Sequence, residues 1–498
     1  MVCGISHCAL HCLTGRPRLK NDQPYRITAY KILLPAGYYG TVASFYVENF
    51  GCRATQADGA AIERQFQERG LTRAPAPALS EIVILNTCTV TASADQDARA
   101  AIRRIHRENP GCQIVVTGCY AQRAPEEVAS LPGVAHVIGN SHKHQLAEIV
   151  VASRQPDAAA SNATRSGFVP LSRLTPPARS EIFVSDIFAH TELLAAPVFD
   201  AAGPGTNSDR TRPNLKVQDG CNNRCSFCVI PSVRGQSRSL PLNHVLSEVN
   251  ALVNAGYREV VISGINLGRW GRDLARPLRF EDLVQEILGQ TNLEKLRLSS
   301  IEPMDWSDEL IRMMGRSPRI AKHAHVPMQS GSDRVLRAMH RKYRPWHYRE
   351  KLEKIRAVMP TAAIGADVMV GFPGESESDF QETRLMIEEL PFTYLHVFTY
   401  SSRPGTPAAA MRNQIPVQVA RERNRILRDL AAEKKLAFMR TFAGKTVEAI
   451  TLNVSDGKST EALTDNYLKL RLAGHHEPNR WLKAQVDQVE GGALMATL

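Results

Sequence analysis

The chain has 498 residues, 43% hydrophobic and 22% charged, the composition of an ordinary soluble globular protein with room for roughly two to four domains. Its ten cysteines do not make it a small secreted disulfide scaffold, because neither the length nor their spacing fits one. The net charge of +11 and pI near 9.2 favour an acidic partner such as nucleic acid, although five Lys/Arg against one Asp in residues 1–43 supply about +4 of that excess.

In chain order, residues 1–43 show no helix or strand period, and Cys3, Cys8 and Cys12 lie close together there without an element to frame a metal site. The stretch reads as a flexible tail or a translation start placed too early. The most apolar segment, residues 27–47, is broken by Lys31 and Pro35 and has no small-residue cleavage site, so no membrane span is expected and the cytoplasm is the expected compartment.

Order begins at Val42–Phe50, which reads as a strand, followed by a turn at Gly51-Cys52-Arg53 and a helix over Asp58–Arg69. Glu81–Thr87 is a short apolar run suited to a buried parallel strand; it ends at Cys88, and a helix follows over Ser93–Glu108. Gln113–Thr117 repeats the pattern and ends at Gly118-Cys119. Cys52, Cys88 and Cys119 therefore each sit just after a strand of one alternating domain, at the sheet edge where ligands collect, which makes a shared site credible. Cys112 precedes its strand and reads as structural. From 151 to 212 Ala, Pro, Ser and Thr dominate, with charges balanced, as in a linker or insertion.

Leu215–Gln218 is a strand feeding the loop Cys221-Asn-Asn-Arg-Cys225-Ser-Phe-Cys228. Three thiols at this spacing can converge on one inorganic cluster. A four-iron cluster normally takes four Cys, so three would leave one iron open to a small molecule with its own donors. The competing zinc knuckle needs a fourth ligand at short spacing, and the nearest candidate, His244, lies well beyond the loop. Further strand–helix units follow: Glu259–Ser263 and the stretches 295–300, 323–327, 363–370 and 394–399. They imply a parallel sheet curled into a full or partial barrel, with functional residues at strand C-termini.

The cysteine loop, with Phe227 before its last Cys, resembles the signature of the radical S-adenosylmethionine (SAM) enzymes. The blocks Gly51-Cys52, Asn86–Thr91 and Thr117–Gln122 resemble the N-terminal domain of the methylthiotransferases, although Ala54-Thr55-Gln56 stands where that family commonly carries an Asn. The resemblance implies two [4Fe-4S] clusters. Cys221, Cys225 and Cys228 would hold the one whose open iron chelates SAM and yields a 5′-deoxyadenosyl radical; Cys52, Cys88 and Cys119 would hold the one that carries or donates sulfur. It also implies SAM contacts at Gly264, Asn266, Ser299, Glu302 and Gln329, in loops Gly264–Gly268, Ser299–Glu302 and Pro327–Gly331 that follow strands; Val370–Glu375 is a further loop of this kind.

Two basic stretches are candidates for RNA. Arg334–Lys351 carries seven Lys/Arg and only Glu350 against them, interleaved with Tyr343, Trp346 and Tyr348, as phosphate contacts beside stacking faces; a solvated helix with core aromatics explains the pattern equally well. The helix of residues 416–440 has seven Lys/Arg against three acids. Residues 443–498 show strands at Thr446–Thr451, Tyr467–Leu472 and Trp481–Val486 and resemble the TRAM domain, a small RNA-binding barrel, with Lys469, Arg471, Arg480 and Lys483 as local contacts. The block Leu463–Lys469 resembles the branch that methylthiolates N6-threonylcarbamoyladenosine (t6A) beside the anticodon.

The expected chain is thus α/β: a disordered or mis-started extension at 1–41, an open α/β methylthiotransferase domain at 42–150, a linker or insertion at 151–212, a partial (β/α) radical SAM barrel at 213–441, and a TRAM-like β-barrel at 442–498. The implied reaction converts a C–H bond at C2 of t6A in tRNA into C–S–CH3, with SAM as both radical source and methyl donor and an unidentified electron donor. The rival substrates are isopentenyladenosine in tRNA and a ribosomal protein. A non-catalytic iron–sulfur or RNA-binding protein is the rival from another class, and the open cysteine triad argues against it.

Overall fold

The computed structural model describes residues 43–154, 180–190, 193 and 211–498; the extension with Cys3, Cys8 and Cys12, and most of the expected linker, lie outside the described residues. The first sheet contains β1 (Ser44–Asn49), β2 (Thr72–Arg73), β3 (Ile82–Thr87), β4 (Gln113–Gly118), β5 (Val134–Ile138) and β6 (Glu181–Phe183), all parallel, in the order β2-β1-β3-β4-β5-β6. Every residue of β3 is buried. Val83 and Leu85 pack against Ile102 and Ile105 on one face, while Ile82 and Ile84 pack with Phe45, Ile62 and Phe66 on the other, which is why the run is continuously apolar rather than alternating.

The N-terminal unit departs from the sequence reading at its first helix and its last strand. The helix expected from Asp58 is Arg53–Glu68, because Cys52, in extended conformation, already serves as its N-cap and the polar Thr55 and Asp58 face a buried seam. Part of the stretch expected as linker is ordered: Glu181–Phe183 adds to the sheet beside β5.

The central unit contains β7 (Asn214–Asp219), β8 (Arg238–Ser239), β9 (Glu259–Gly264), β10 (Lys295–Leu298), β11 (His323–His325), β12 (Ala363–Val370) and β13 (Tyr394–Thr399). They form sheets ordered β10-β9-β7-β8 and β11-β12-β13, and Leu296 of β10 makes a parallel bridge to Ile320, just before β11. Apart from the short antiparallel β8, the strands are parallel, and β13 pairs only with β12 among the described residues. The result is a partial barrel wrapped by helices, with Val217, Ile262, Leu298, Ile364 and Val368 in one continuous core.

The C-terminal strands β14 (Thr446–Ser455), β15 (Ser459–Thr464), β16 (Lys469–Ala473), β17 (Trp481–Glu490) and β18 (Ala493–Thr497) close a small barrel in the order β14-β15-β16-β18-β17. Alternation marks β14, β16 and β17 in the sequence. It misses β15 and β18, whose inward residues include the small or polar Thr460, Ala462 and Ala496, so that the alternation is weak. Residues 463–469 form a seam between the modules. Tyr467, at φ +69°, accepts a 2.8 Å hydrogen bond from Arg53, lies under the Arg297 guanidinium and contacts the His323 ring, while Asn466 donates to the Thr361 carbonyl. No helix among the described residues is long and apolar enough to cross a membrane.

Candidate functional site

The loop after β7 is shaped before any ligand enters. Gly220, at φ +68°, has the Gln236 carbonyl oxygen 1.8 Å from where a Cβ would stand, so only glycine lets the chain turn here. The amide of the buried Gln218 donates to the carbonyls of Asp219 and Gly220, and its oxygen accepts the Asn266 backbone N–H at 2.6 Å. Cys221 Sγ accepts from the Asn223 N–H at 3.4 Å and the Asn266 side-chain amide at 3.6 Å. Cys225 Sγ accepts from Arg341 at 3.3 Å, and Arg341 also pairs with Glu302. Burial, and then the neighbouring Cys225, push the Cys228 thiol up to about 12, and burial raises Cys221. Sulfur donors that oppose one another's ionisation fit a site for a cationic metal cluster, which holds them as thiolates.

The second triad is gathered from three strand ends. Gly51, at φ +106°, passes so near Cys88 that a Cβ would lie 2.6 Å from the Cys88 Cβ. Gly118, at φ +98°, turns β4 against the Thr87 backbone and places Cys119 at a helix start. Burial, then Cys119 and Cys52, drive the Cys88 thiol upward, so these three sulfurs also crowd one another. Asn140 donates to Cys119 Sγ at 3.6 Å and to the Val233 carbonyl at 2.7 Å, leaving its own buried Oδ1 without a partner, as Asn266 does beside Cys221. Both triads border one apolar cluster built from Val229, Ile230, Val233 and Ile265, with Cys52, Cys119, Cys221 and Cys228 packed on it.

Beneath them, charges from both units interlock in full burial. Asp58 pairs with Lys143 at 3.0 Å, with Arg234 at 2.9 Å and with Lys216; Asp219 pairs with Lys216 at 2.8 Å and Arg234 at 2.9 Å. Burial alone would raise the Asp58 carboxyl, but Lys143, Lys216 and Arg234 hold it below the usual carboxylate range.

A cavity opens over the first triad. Cys221, Cys225 and Cys228 line it with Phe227 and Ile265; Val90 and Thr91 of the N-terminal unit form another wall, and Asp367, Met369 and Phe398 come from β12 and β13. Of the residues expected at SAM, Glu302 and Gln329 line this cavity, and Asn266 stands behind Cys221. Gly264 and Ser299 are not among its lining residues; Gly264 packs against Gln218, and the Ser299 N–H pairs with the Ile262 carbonyl. A smaller adjoining pocket is bordered by Arg224, Arg269, His340 and Lys342.

The expected RNA-stacking pattern is corrected in part. Tyr343 and Tyr348 are fully buried and donate to the carbonyls of Met328 and Val326, so they are core; Trp346 is 57% exposed. Arg341, counted there with the phosphate contacts, belongs to the Cys225 sulfur. Lys469, Arg471, Arg480 and Lys483 are exposed, with Arg480 held by Glu477 at 2.8 Å. Asn140 and the Asp58 network carried no sequence signal, since each partner comes from a different element.

Comparisons with known proteins agree with this layout. Residues 44–139 match the Uncharacterized protein family UPF0004, and residues 215–387 match the Radical SAM superfamily. The threonylcarbamoyladenosine tRNA methylthiotransferase of Bacillus subtilis is 34% identical over 87% of this chain and 91% of its own length, and that of Aquifex aeolicus 34% identical over 88% and 99%. The tRNA-2-methylthio-N(6)-dimethylallyladenosine synthase of Nocardia farcinica is 34% identical over 84% and 79%. Among solved structures, the radical S-adenosylmethionine methyltransferase TsrM of Kitasatospora setae shares the fold with TM-score 0.51 and 15% identity, over 74% of this chain and 77% of that one.

Proposed function

Because this chain belongs to the radical SAM methylthiotransferases, we propose that it converts t6A at position 37 of tRNA to its 2-methylthio derivative. The observation that supports the two-site part of this reading is the apolar cluster bordered by both cysteine triads, which sets the triad assigned to sulfur near the triad assigned to the radical. Cys221, Cys225 and Cys228 would hold a [4Fe-4S] cluster that binds SAM, with Glu302, Gln329 and Asn266 as the polar groups nearest the cofactor. Cys52, Cys88 and Cys119 would hold the second. Bound at the first cluster, one SAM would supply hydrogen-atom abstraction, and a second SAM would supply the methyl group.

The protein's own residues do the rest. Arg341 and Asn266 direct N–H groups at the Cys225 and Cys221 sulfurs and hold them in place. Phe227, Val229, Ile230 and Ile265 exclude water from the cavity wall. Exposed Arg224 and Lys342 at the neighbouring pocket give the RNA backbone a basic rim. An electron donor and the cytoplasm complete the proposal.

The choice of t6A rests on the Bacillus and Aquifex relatives, and the Nocardia relative supplies the dimethylallyl alternative. Nucleoside mass spectrometry of tRNA from cells with and without the gene tests both. Loss of 2-methylthio-t6A with accumulation of t6A is expected. Loss of the dimethylallyl derivative instead overturns the substrate, and unchanged tRNA overturns the tRNA reading altogether.

A further inference from the structure

The inner face of the second half-barrel is polar where a strand interior is ordinarily apolar. Along β13, Leu395 and Val397 pack into the core, which leaves Tyr394, His396 and Phe398 for the lumen; along β12, Ala366 and Val368 pack outward and Asp367 and Met369 inward. His325 Nε2 and His396 Nδ1 both approach Asp367 Oδ1, at 3.3 and 3.4 Å. Both imidazoles therefore face one carboxylate oxygen, and His325 and Asp367 are buried. Tyr394 spans the second His325 nitrogen and His323. Asp367 itself lines the cavity over Cys221, Cys225 and Cys228, so this cluster is continuous with the reaction space.

Nothing in the packing of the strands requires it. Aliphatic side chains at these positions would fill the lumen without burying ring nitrogens and a carboxylate. An apolar substituent entering here would offer the imidazole N–H groups no acceptor, whereas a hydroxylated, acidic one would offer several.

We propose that His396 and His325, set by Asp367, form the subsite that receives the carboxylate- and hydroxyl-bearing N6 substituent of the substrate base. This rests on the t6A reading above and names the residues that separate it from a dimethylallyl base. His396, half-buried on an edge strand of the barrel, is the direct contact; Asp367 is a positioning residue.

The test is equilibrium binding of anticodon stem-loops to the reconstituted holoenzyme with SAM, under anaerobic conditions. The loops carry t6A, the methyl ester of its carboxylate, dimethylallyladenosine or unmodified adenosine at position 37. Wild type is expected to bind the free acid about 10- to 100-fold more tightly than the ester. His396→Leu should remove that preference, and His396→Gln should restore only part of it. Equal binding of acid and ester by wild type would overturn the subsite whatever the variants do. A full acid preference in His396→Leu would overturn the role of His396. Preference of wild type for the dimethylallyl loop would overturn the t6A reading and the subsite with it. Stoichiometric zinc that leaves with His396→Leu would show the three residues to be a metal site, and overturn the proposal as well.

Discussion

Cys221, Cys225 and Cys228 lie on one eight-residue loop, whereas Cys52, Cys88 and Cys119 arrive from three separate strand ends of the N-terminal sheet. The first site is local: a glycine at φ +68° and hydrogen bonds from Gln218 and Asn266 fix it within the barrel. The second exists only when β1, β3 and β4 are in register and Asn140 has tied the Cys119 sulfur to the Val233 carbonyl of the barrel unit. A site assembled from distant segments depends on every contact that docks its sheet, and one assembled on a loop does not. The two triads should therefore fail separately, under different substitutions.

The largest separation comes from the ligands themselves. Cys225→Ala is expected to abolish reductive cleavage of SAM while the N-terminal iron stays bound. Cys88→Ala should stop thiolation but spare cleavage. Iron per chain and 5′-deoxyadenosine release measure both. Normal cleavage in Cys225→Ala would remove that loop as the radical site, and unchanged thiolation in Cys88→Ala would remove Cys88 from the sulfur site.

A smaller effect is expected where the two units are stitched together. Asp58 lies on the helix that Cys52 caps, Asp219 precedes Cys221, and Arg234 follows Cys228, so one buried network underlies both triads. Asp58→Ala leaves Lys216 and Arg234 with Asp219 alone and Lys143 with no carboxylate, a loss of about 3–5 kcal/mol for a broken buried pair. The variant should melt earlier and lose N-terminal iron first. Wild-type stability would mean that the network contributes nothing net. Equal loss from both sites would erase the distinction between a local and an assembled triad.

The same distinction governs what the sequence discloses. The Cys221–Cys228 spacing is legible because all its ligands share one loop. The other triad is legible only through its repeated position after apolar strands, a pattern that survives because β3 and β4 are buried on both faces. Asn140 and Asp58 are invisible, since nothing local distinguishes an amide or carboxylate that will meet a partner from another unit. Arg341 misleads for the opposite reason. It sits in a basic, aromatic stretch that suggests RNA, yet Tyr343 and Tyr348 beside it are core and its guanidinium is taken by Cys225 and Glu302. Tyr467 carries a family resemblance in sequence and proves to be a pin between modules, gripping Arg53, the residue after Cys52.

That pin gives the smallest expected effect. His323 lies against the Tyr467 ring, and burial, followed by the charges of Arg297, His325 and Arg53, holds its imidazole well below the usual range. The folded chain therefore refuses a proton that the unfolded chain accepts near pH 6.5. The stabilisation is present above that pH and is lost as pH falls below it, by up to about 1.4 kcal/mol per pH unit. His323→Gln keeps a partner for the Tyr394 hydroxyl, which now lies 2.6 Å from His323 Nε2, but removes the titration. Its stability should fall less steeply than wild type between about pH 6.5 and 5. Some slope will remain, because burial also lowers His136 in the N-terminal sheet. Anaerobic urea unfolding across that range checks the difference. Parallel curves would show that His323 takes up its proton in the folded chain, and that the seam holding Arg53 beside Cys52 is open to water.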